Sequence, residues 1–397
     1  MTTAQDRPGN GELRRSPLHS CHLRLGAKFA EFGGWLMPLD YSVPVLRGGA
    51  GNSQVTRGPE AGGVLAEHTA VREKLGIFDV SHLGTIEVTG PGAADYLNTV
   101  LAGDLAAISA GKAQYQLLCN ERGGVVDDLI ACRRSGEDIL LVPNAANCAT
   151  VASILADGAP EPVEVRNAHG QFAIIAVQGP RSDELLSALG NPVDDLGYMS
   201  FTGATLGGTA LTLCRSGYTG ERGVELVMPA ERAEAVWRAL LETGEQFGAR
   251  PCGLAARDTL RTEMGYPLHG QDISAEIDPV SAGLSWAVGW DKAHFRGDQA
   301  LRKIRVDKSA RRLRGLKATG RGIPRPGMDC VVAGGDATST TVGQVTSGTF
   351  GPTLRTGIGL ALLDPSVTPG QHVGVVVRRR VEDFEVVRPP FVPSRVR

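Results

Sequence analysis

One local pattern occurs twice in this chain and restricts its fold more than any other feature. An alternating strand ends in a Gly-Pro turn and is followed by an amphipathic helix, first from Ile86 to Leu101 and again from Ala173 to Leu189. Apolar residues recur at every second position in each strand and at helical spacing after each turn. Two such units predict two related α+β subdomains. Because strand–turn–helix units are common in proteins, one short match also leaves two unrelated units open.

The chain is too long for one domain. It has 397 residues, whereas a single domain has roughly 100–200. From about Arg312 the sequence consists of short apolar strands broken by glycines. We therefore predict an α+β fold class with two α+β subdomains and a small C-terminal β barrel or sandwich. The predicted limits are a disordered tail at 1–16, a first domain at 17–160 with a loop insertion at 48–63, a second domain at 161–305 and a β domain at 306–397.

Composition and charge disfavour several classes of protein. Lys and Arg number 41 against 43 for Asp and Glu, so there is no basic excess for binding nucleic acid. No apolar run approaches the roughly 18–20 residues that span a bilayer. The 7 cysteines are dispersed without a CxxC pair, which predicts reduced, buried thiols, and the 8 dispersed histidines show no metal-binding pattern. We expect a cytoplasmic protein that binds no metal, membrane or nucleic acid.

Motifs shared by unrelated enzymes do not identify the chemistry. The sequence has no GxGxxG at the start of an N-terminal strand–helix unit, no phosphate-binding loop, no HExxH and no GxSxG. These patterns therefore indicate no more than a multidomain protein, which we expect to be an enzyme.

Six segments spread over most of the chain resemble the glycine-cleavage T-protein family. They include Gly-Gly-Val-Val-Asp127-Asp128-Leu and Gly-Leu-Ala-Ala-Arg257-Asp258. In chain order the segments are Phe32 to Tyr41, Phe78 to His82, Gly111 to Leu129, Gly217 to Glu225, Gly253 to Glu263, and Thr346 to Leu354. Any one of them is weak, but their combined order is specific.

The resemblance implies both a fold and a reaction. The family's fold has two ferredoxin-like α+β parts and a C-terminal barrel or jelly-roll-like β domain around a central folate cavity. In the family's reaction, tetrahydrofolate takes the methylene carbon from an aminomethyl group on the lipoyl arm of a carrier, the H-protein. Ammonia is released and 5,10-methylenetetrahydrofolate is formed. Tetrahydrofolate is thus the implied cofactor and the lipoylated H-protein the implied partner.

Asp128 matches the essential aspartate of the family. A buried carboxylate can accept a hydrogen bond from a folate N–H and stabilise positive charge as the new C–N bond forms. A charge at the start of an apolar strand is costly to bury without such a role. We therefore interpret Asp128 as catalytic, although without the surrounding motif it would be interpreted as the end of a Gly-Gly turn.

The resemblance also implies residues that recognise the pterin. Glu225 matches a glutamate whose carboxylate pairs with adjacent N–H and NH2 donors. Arg257 matches a folate-contacting arginine. The alternatives are a solvent-facing strand glutamate and a structural ion pair of Arg257 with Asp258 or Glu263.

Further candidates surround these two. Tyr115 and Tyr218 are expected to flank the folate ring or its aromatic bridge, although core tyrosines are common. Arg395 falls where the family often has a cofactor-side residue. Asn144 either contacts the cofactor or caps a helix, and His82 is expected to be structural.

Other functions remain possible on the same residues. A folate-dependent demethylase, or the folate half of a sarcosine-type oxidase, shares the aspartate, but the oxidases carry a flavin domain for which this chain has no sequence. A folate-binding accessory factor for iron–sulfur assembly would have a Lys-Gly-Cys-Tyr type motif where this chain has Ser216-Gly-Tyr-Thr-Gly-Glu221. A paralogue that binds folate without turnover is disfavoured by intact Asp128, Glu225 and Arg257.

Overall fold

The described chain begins with a small sheet and two helices. The computed structural model describes residues 13–41, 62–307, 311–336, 338–378 and 380–397. Most of the predicted tail and of the 48–63 insertion lies outside these residues. The first elements are β1 (Arg14–Arg15), α1 (His19–Arg24), β2 (Lys28–Phe32), β3 (Trp35–Asp40), α2 (Val64–Glu73) and β4 (Leu75–Asp79). The small sheet has the order β1-β3-β2.

The first α+β unit contains the earlier copy of the repeated pattern. Its elements are β5 (Ile86–Thr89), α3 (Ala93–Val100), β6 (Lys112–Cys119), β7 (Val125–Arg133), β8 (Asp138–Val142), α4 (Cys148–Gly158) and β9 (Glu164–Asn167). Over the described residues the sheet order is β6-β7-β8-β5-β9. One face of this sheet packs against α3 and α4 through an apolar cluster that includes Leu97, Leu129 and Val151.

The second unit contains the later copy of the pattern. Its elements are β10 (Phe172–Gln178), α5 (Ser182–Ala188), β11 (Phe201–Leu206), β12 (Thr209–Cys214), β13 (Gly223–Pro229), α6 (Ala233–Gly244), β14 (Ala249–Cys252) and α7 (Leu254–Met264). The later helix α8 (Asp298–Val306) packs against β6 and β7 of the first unit through Leu301. The sheet of the second unit has the order β11-β12-β13-β10-β4-β14 in the described part of the chain. A cut at residue 160 therefore separates β4 from both of its sheet partners, and the domain limits stay a prediction.

One face of each sheet is directed toward the other sheet, and α7 contributes Leu260 to the contact between them. An apolar cluster joins Phe78 and Ile174 of the second sheet to Ala113 and Cys132 of the first. The contact continues into the backbone, where the Ala113 N–H donates to the carbonyl of Met199 at 2.8 Å. Because successive strand side chains point to opposite faces, alternate residues of β7 and β13 project into the space between the sheets.

The C-terminal part is a closed β barrel. Its strands are β15 (Arg312–Ala318), β16 (Asp329–Val332), β17 (Thr341–Gly351), β18 (Thr356–Leu363), β19 (His372–Val377) and β20 (Arg380–Val387). The order is β15-β18-β17-β16-β19-β20, and β20 pairs with β15 to close the barrel. The predicted α+β fold class is confirmed, and of the two C-terminal alternatives the barrel is found.

Buried ion pairs attach the barrel to the rest of the molecule. Arg261 of α7 contacts Asp272 at 2.9 Å, and both residues hydrogen-bond to Ser347 of β17. These contacts fix the loop from Pro267 to Asp272, which lies between α7 and the first sheet.

Candidate active site

Asp128 lies on the face of β7 that is directed toward the second sheet. Its neighbours on the same face, Ile130 and Cys132, belong to the apolar cluster between the sheets. Leu129 and Ala131 point the other way, toward the helices. The period of two along the strand therefore places one carboxylate of the Asp127-Asp128 pair on each face of the sheet. Asp128 is half-buried, whereas Asp127 is fully buried.

Two neutral donors hold the Asp128 carboxylate. The hydroxyl of Tyr115 donates to Oδ2 at 3.0 Å, and the side-chain amide of Asn144 donates to Oδ1 at 2.8 Å. Tyr115 pairs with Ile130 across β6 and β7, so it lies diagonally beside Asp128 on the same face. Burial raises the pKa of Asp128 above its ordinary value, and the bonds from Tyr115 and Asn144 oppose that rise. The site thus contains a carboxylate with increased basicity.

Asp127 has a separate set of partners beneath the start of α4. Its oxygens accept from the Asn144 backbone N–H and from the side-chain amides of Asn144 and Asn147. The Asn147 amide also contacts Nδ1 of His269 at 3.0 Å. Burial, together with the charge of Asp128, raises the pKa of Asp127 to about 7.

Glu225 and Arg257 form a second polar group between the sheets. Glu225 is on β13 and accepts a 2.5 Å hydrogen bond from the Ser216 hydroxyl. Arg257 lies in the first half of α7, with Nη2 4.0 Å from Glu225 Oε1. The Arg257 guanidinium stands 4.9 Å from the centre of the Tyr218 ring. Among the described residues, its buried Nη1 has no hydrogen-bond partner.

Aromatic side chains extend from both groups to two cavities. Tyr115 stacks on Trp286 with ring centres 5.6 Å apart, and both line a cavity of about 240 Å³. Tyr218 stacks on Tyr266 at 5.7 Å, and Tyr266 lines a cavity of about 410 Å³ together with Tyr198. Burial raises the pKa of Tyr218, and the charge of Asp128 adds to that rise.

Arg395 lies apart from these groups, whereas His82 is close enough to Arg257 that burial and then the charge of Arg257 lower the pKa of His82 to about 4. The Arg395 guanidinium is 3.3 Å from the carbonyl oxygen of Arg72 and 3.9 Å from Glu221 Oε1, and its side chain is 60% exposed. None of its hydrogen bonds or ion pairs in the described part of the chain involves another predicted site residue. His82 lies near the small N-terminal sheet, where its carbonyl accepts from His169.

Sequence patterns missed several residues of the site. Asn147, His269 and Trp286 approach Asp127 or Tyr115 only through tertiary contacts, so no local pattern could reveal them. The side chain of Asn144, for which the sequence leaves open a helix cap or a cofactor contact, binds both aspartates, and the cofactor contact stays a prediction. The helix N-cap is Asn147, whose side chain forms no cap hydrogen bond.

Three general properties accompany the site. All seven cysteines lie within the described residues, are buried as predicted and form no disulfide bond there. No helix in the described ranges is long and apolar enough to cross a membrane. The same ranges contain no group of three or more His, Cys, Asp or Glu side chains arranged to hold a metal ion.

The fold and the site together define a class of protein: two facing α+β units and a C-terminal barrel, with carboxylates between the sheets. Residues 18–292 match the family model for the GCVT N-terminal domain, and residues 311–393 match that for the glycine cleavage T-protein C-terminal barrel domain. The aminomethyltransferase of Frankia alni is 55% identical and covers 97% of this chain and 100% of its own.

Two further relatives agree with this match. The Mycobacterium bovis aminomethyltransferase is 48% identical over 97% of this chain and 99% of its own. The crystal structure of glycine cleavage system aminomethyltransferase T from Bartonella henselae superimposes with a TM-score of 0.84 at 34% identity, covering 97% and 99% of the two chains. The chain belongs to the glycine-cleavage T-protein family of aminomethyltransferases.

Proposed function

We propose that this aminomethyltransferase transfers the methylene carbon from the aminomethyl-lipoyl arm of a carrier H-protein to tetrahydrofolate, with Asp128 as the catalytic carboxylate. The observation that carries the proposal is the pair of facing groups between the two sheets. Asp128 with Tyr115 and Asn144 forms one group, and Glu225 with Arg257 forms the other.

The Glu225–Arg257 group fits a pterin because both residues retain bonding capacity. Arg257 Nη1 is buried with no hydrogen-bond partner among the described residues, and a guanidinium N–H in that state is costly unless a ligand completes it. Glu225 Oε2 accepts from Ser216, while Oε1 is 4.0 Å from the nearest Arg257 nitrogen. A carboxylate that presents a free oxygen beside a donor matches the adjacent N–H donors and carbonyl acceptor of a pterin edge.

Asp128 supplies the acid–base function. Its carboxylate accepts a hydrogen bond from a folate N–H, which makes that nitrogen more nucleophilic and stabilises positive charge as the C–N bond forms. Burial raises the pKa of Asp128 and so strengthens it as an acceptor. Tyr115 and Asn144 leave the carboxylate oriented toward the space between the sheets.

The atoms of the proposed reaction balance without an oxidant. Tetrahydrofolate supplies two N–H groups that become the two new C–N bonds of 5,10-methylenetetrahydrofolate. The C–N and C–S bonds of the aminomethyl arm break. The two protons leave on ammonia and on the dihydrolipoyl thiol, and Asp128 provides the base through which a proton passes.

The aromatic residues support the rest of the cofactor. Tyr115 and Tyr218 offer ring faces beside the two polar groups, and Trp286, stacked on Tyr115, extends this surface to the outside. Stacking of aromatic rings contributes roughly 0.5–1.5 kcal/mol beyond area burial. For Arg395 we propose a contact with the anionic folate tail, because the adjacent Ser394 lines the cavity of about 410 Å³.

Ammonia release from aminomethylated, lipoylated carrier protein tests the proposal. We expect release to depend on tetrahydrofolate and to equal 5,10-methylenetetrahydrofolate formation mole for mole. Asp128→Asn should lose this release. Asp138→Asn is its matched control, because Asp138 lies on β8 of the same sheet as Asp128 with its side chain 41% exposed. Folate-independent release would contradict the proposal, and turnover of an N-methylated substrate instead would indicate a demethylase.

A further inference from the structure

Asp127 is a buried carboxylate that the proposed reaction does not use directly. It lies on the helix-facing side of β7 and is fully shielded from solvent. Oδ1 accepts from the amides of Asn144 and Asn147 at 2.9 and 2.7 Å, and Oδ2 accepts from the Asn144 backbone N–H at 3.1 Å. All of these donors are neutral, and the N-terminus of α4 adds its dipole. Together they favour the ionised form of Asp127.

Asn147 connects Asp127 to His269, and the hydrogen bonds of His269 define which ring nitrogen donates and which accepts. His269 Nε2 lies 3.0 Å from the carbonyl of Val125, which can only accept, so Nε2 carries a hydrogen. Nδ1 lies 3.0 Å from Asn147 Nδ2, which can only donate, so Nδ1 has a free lone pair. The carboxylate of Asp127 fixes the orientation of the Asn147 amide. These two partners therefore place a ring hydrogen on Nε2 and leave Nδ1 as the acceptor.

We propose that Asn147 is a positioning residue for the reaction: its amide donates to both Asp127 and His269 and so favours the ionised form of Asp127 beside Asp128. The inference rests on the proposed role of Asp128. The two aspartates are adjacent in the chain and share the side-chain amide of Asn144, at 2.9 and 2.8 Å. When Asp127 is ionised, its negative charge increases the proton affinity of Asp128. Asp128 therefore becomes a stronger acceptor for the folate N–H.

The other titratable groups around Asp127 do not substitute for this effect. They are Asp128 on β7, Cys148 on α4, Tyr115 on β6 and His269 on the loop after α7. Burial raises the pKa of Cys148 to about 11 and that of Tyr115 above its ordinary value, so both stay protonated near neutral pH. Burial and the charge of Asp128 raise the pKa of Asp127 to about 7, even though the two asparagine amides oppose the rise. Loss of the Asn147 donor therefore makes Asp127 easier to protonate.

The pH dependence of kcat tests this role through Asn147→Ala. The hydrogen bond that is removed favours the ionised form, so the aspartate pair loses its proton at higher pH. We expect the acid limb of the kcat profile to move upward by about one pH unit, with recovery of kcat at alkaline pH. A role limited to structure would lower kcat equally at every pH and leave the limb in place, and that result would overturn the inference.

His269→Gln is the matched variant. Glutamine can donate its amide to Val125 and accept from Asn147 but cannot titrate, so we expect the limb to stay at the wild-type pH. If His269→Gln abolished the acid limb of the kcat profile, that limb would arise from His269 and the inference would be wrong.

A direct titration separates this inference from the proposed function, since it needs no turnover. The carboxyl carbon of Asp127 is labelled with carbon-13, and its NMR signal is assigned by its absence in Asp127→Asn. We expect this signal to titrate at higher pH in Asn147→Ala than in the wild type. An unchanged midpoint would overturn the inference even where turnover is normal. Wild-type enzyme without turnover would instead contradict the proposed function. If Asn147→Ala does not fold, Asn147→Ser, which retains a short donor, is expected to show a smaller shift in the same direction.

Discussion

Arg257 and Arg261 lie one turn apart on α7 and are expected to respond in opposite ways to the same substitution. Arg261 is fully bonded: it contacts Asp258, Asp272, Ser347 and the carbonyl of Tyr266. Arg257 has a buried Nη1 without a partner among the described residues and a single distant carboxylate, 4.0 Å away. Replacement of each by methionine keeps most of the volume and removes the charge.

The expected changes in the free energy of unfolding follow from these contacts. Arg257→Met removes a buried donor that has no partner, which stabilises the folded state by about 1–3 kcal/mol. It loses a cation–π contact of about 0.5–2 kcal/mol and a long ion contact of at most about 1 kcal/mol. These effects cancel to within about 1 kcal/mol. Arg261→Met leaves the buried Asp272 carboxylate without its cation, which costs about 3–5 kcal/mol.

Tetrahydrofolate binding should be weakened more by Arg257→Met than by Arg261→Met. Arg257→Met removes a charged hydrogen bond to the ligand worth about 1.5–3 kcal/mol, so the Kd for tetrahydrofolate should rise roughly 10- to 150-fold. Urea unfolding and calorimetric titration of both variants measure the two effects. If Arg257→Met destabilised the protein as much as Arg261→Met, the Arg257 guanidinium would be structural and its assignment to the pterin would be refuted.

Three further predictions concern other parts of the molecule. A Cβ at Gly124 would lie 1.8 Å from the Ala275 carbonyl oxygen, so Gly124→Ala should lower the free energy of unfolding by about 1–3 kcal/mol, whereas Gly203→Ala, with open space around it, should not. Despite burial, hydrogen bonds from His22 and Ser16 hold the pKa of Asp79 below its ordinary value. Asp79→Asn should therefore destabilise the protein by about 3–5 kcal/mol at pH 7, and thermal melts should show that deficit shrinking as pH falls below about 4 and the wild-type carboxyl protonates. Trp286→Ala should weaken tetrahydrofolate binding roughly 2- to 10-fold with little change in thermal stability, since its side chain is 71% exposed.

Local patterns were sufficient where neighbouring residues in the chain determine the structure. Both Gly-Pro units form as predicted, as β5 with α3 and β10 with α5. The glycine-broken C-terminal strands form the barrel. In each case the alternation of apolar residues and the turn residues lie within one short segment.

Local patterns do not predict which strands pair when they are far apart in the sequence. No local signal places β4 between β10 and β14, because the pairing joins residues about a hundred or more positions apart along the chain. His269 reaches Asn147 only because Asp272 attaches its loop to Arg261 and Ser347. The roles of the six predicted site residues came from the family resemblance and stay predictions. The structure brings five of them to the space between the sheets, whereas Arg395 contacts Arg72 and Glu221.

Single-turnover transfer by Asp128→Asn tests the central claim most directly. The substitution keeps the shape of the side chain and removes the negative charge that Tyr115 and Asn144 hold in place. We expect the rate of ammonia release to fall roughly 10²- to 10⁴-fold, while tetrahydrofolate affinity and the unfolding midpoint stay close to those of Asp138→Asn. A rate within tenfold of the wild type, at saturating tetrahydrofolate, would contradict the claim that this carboxylate performs the chemistry.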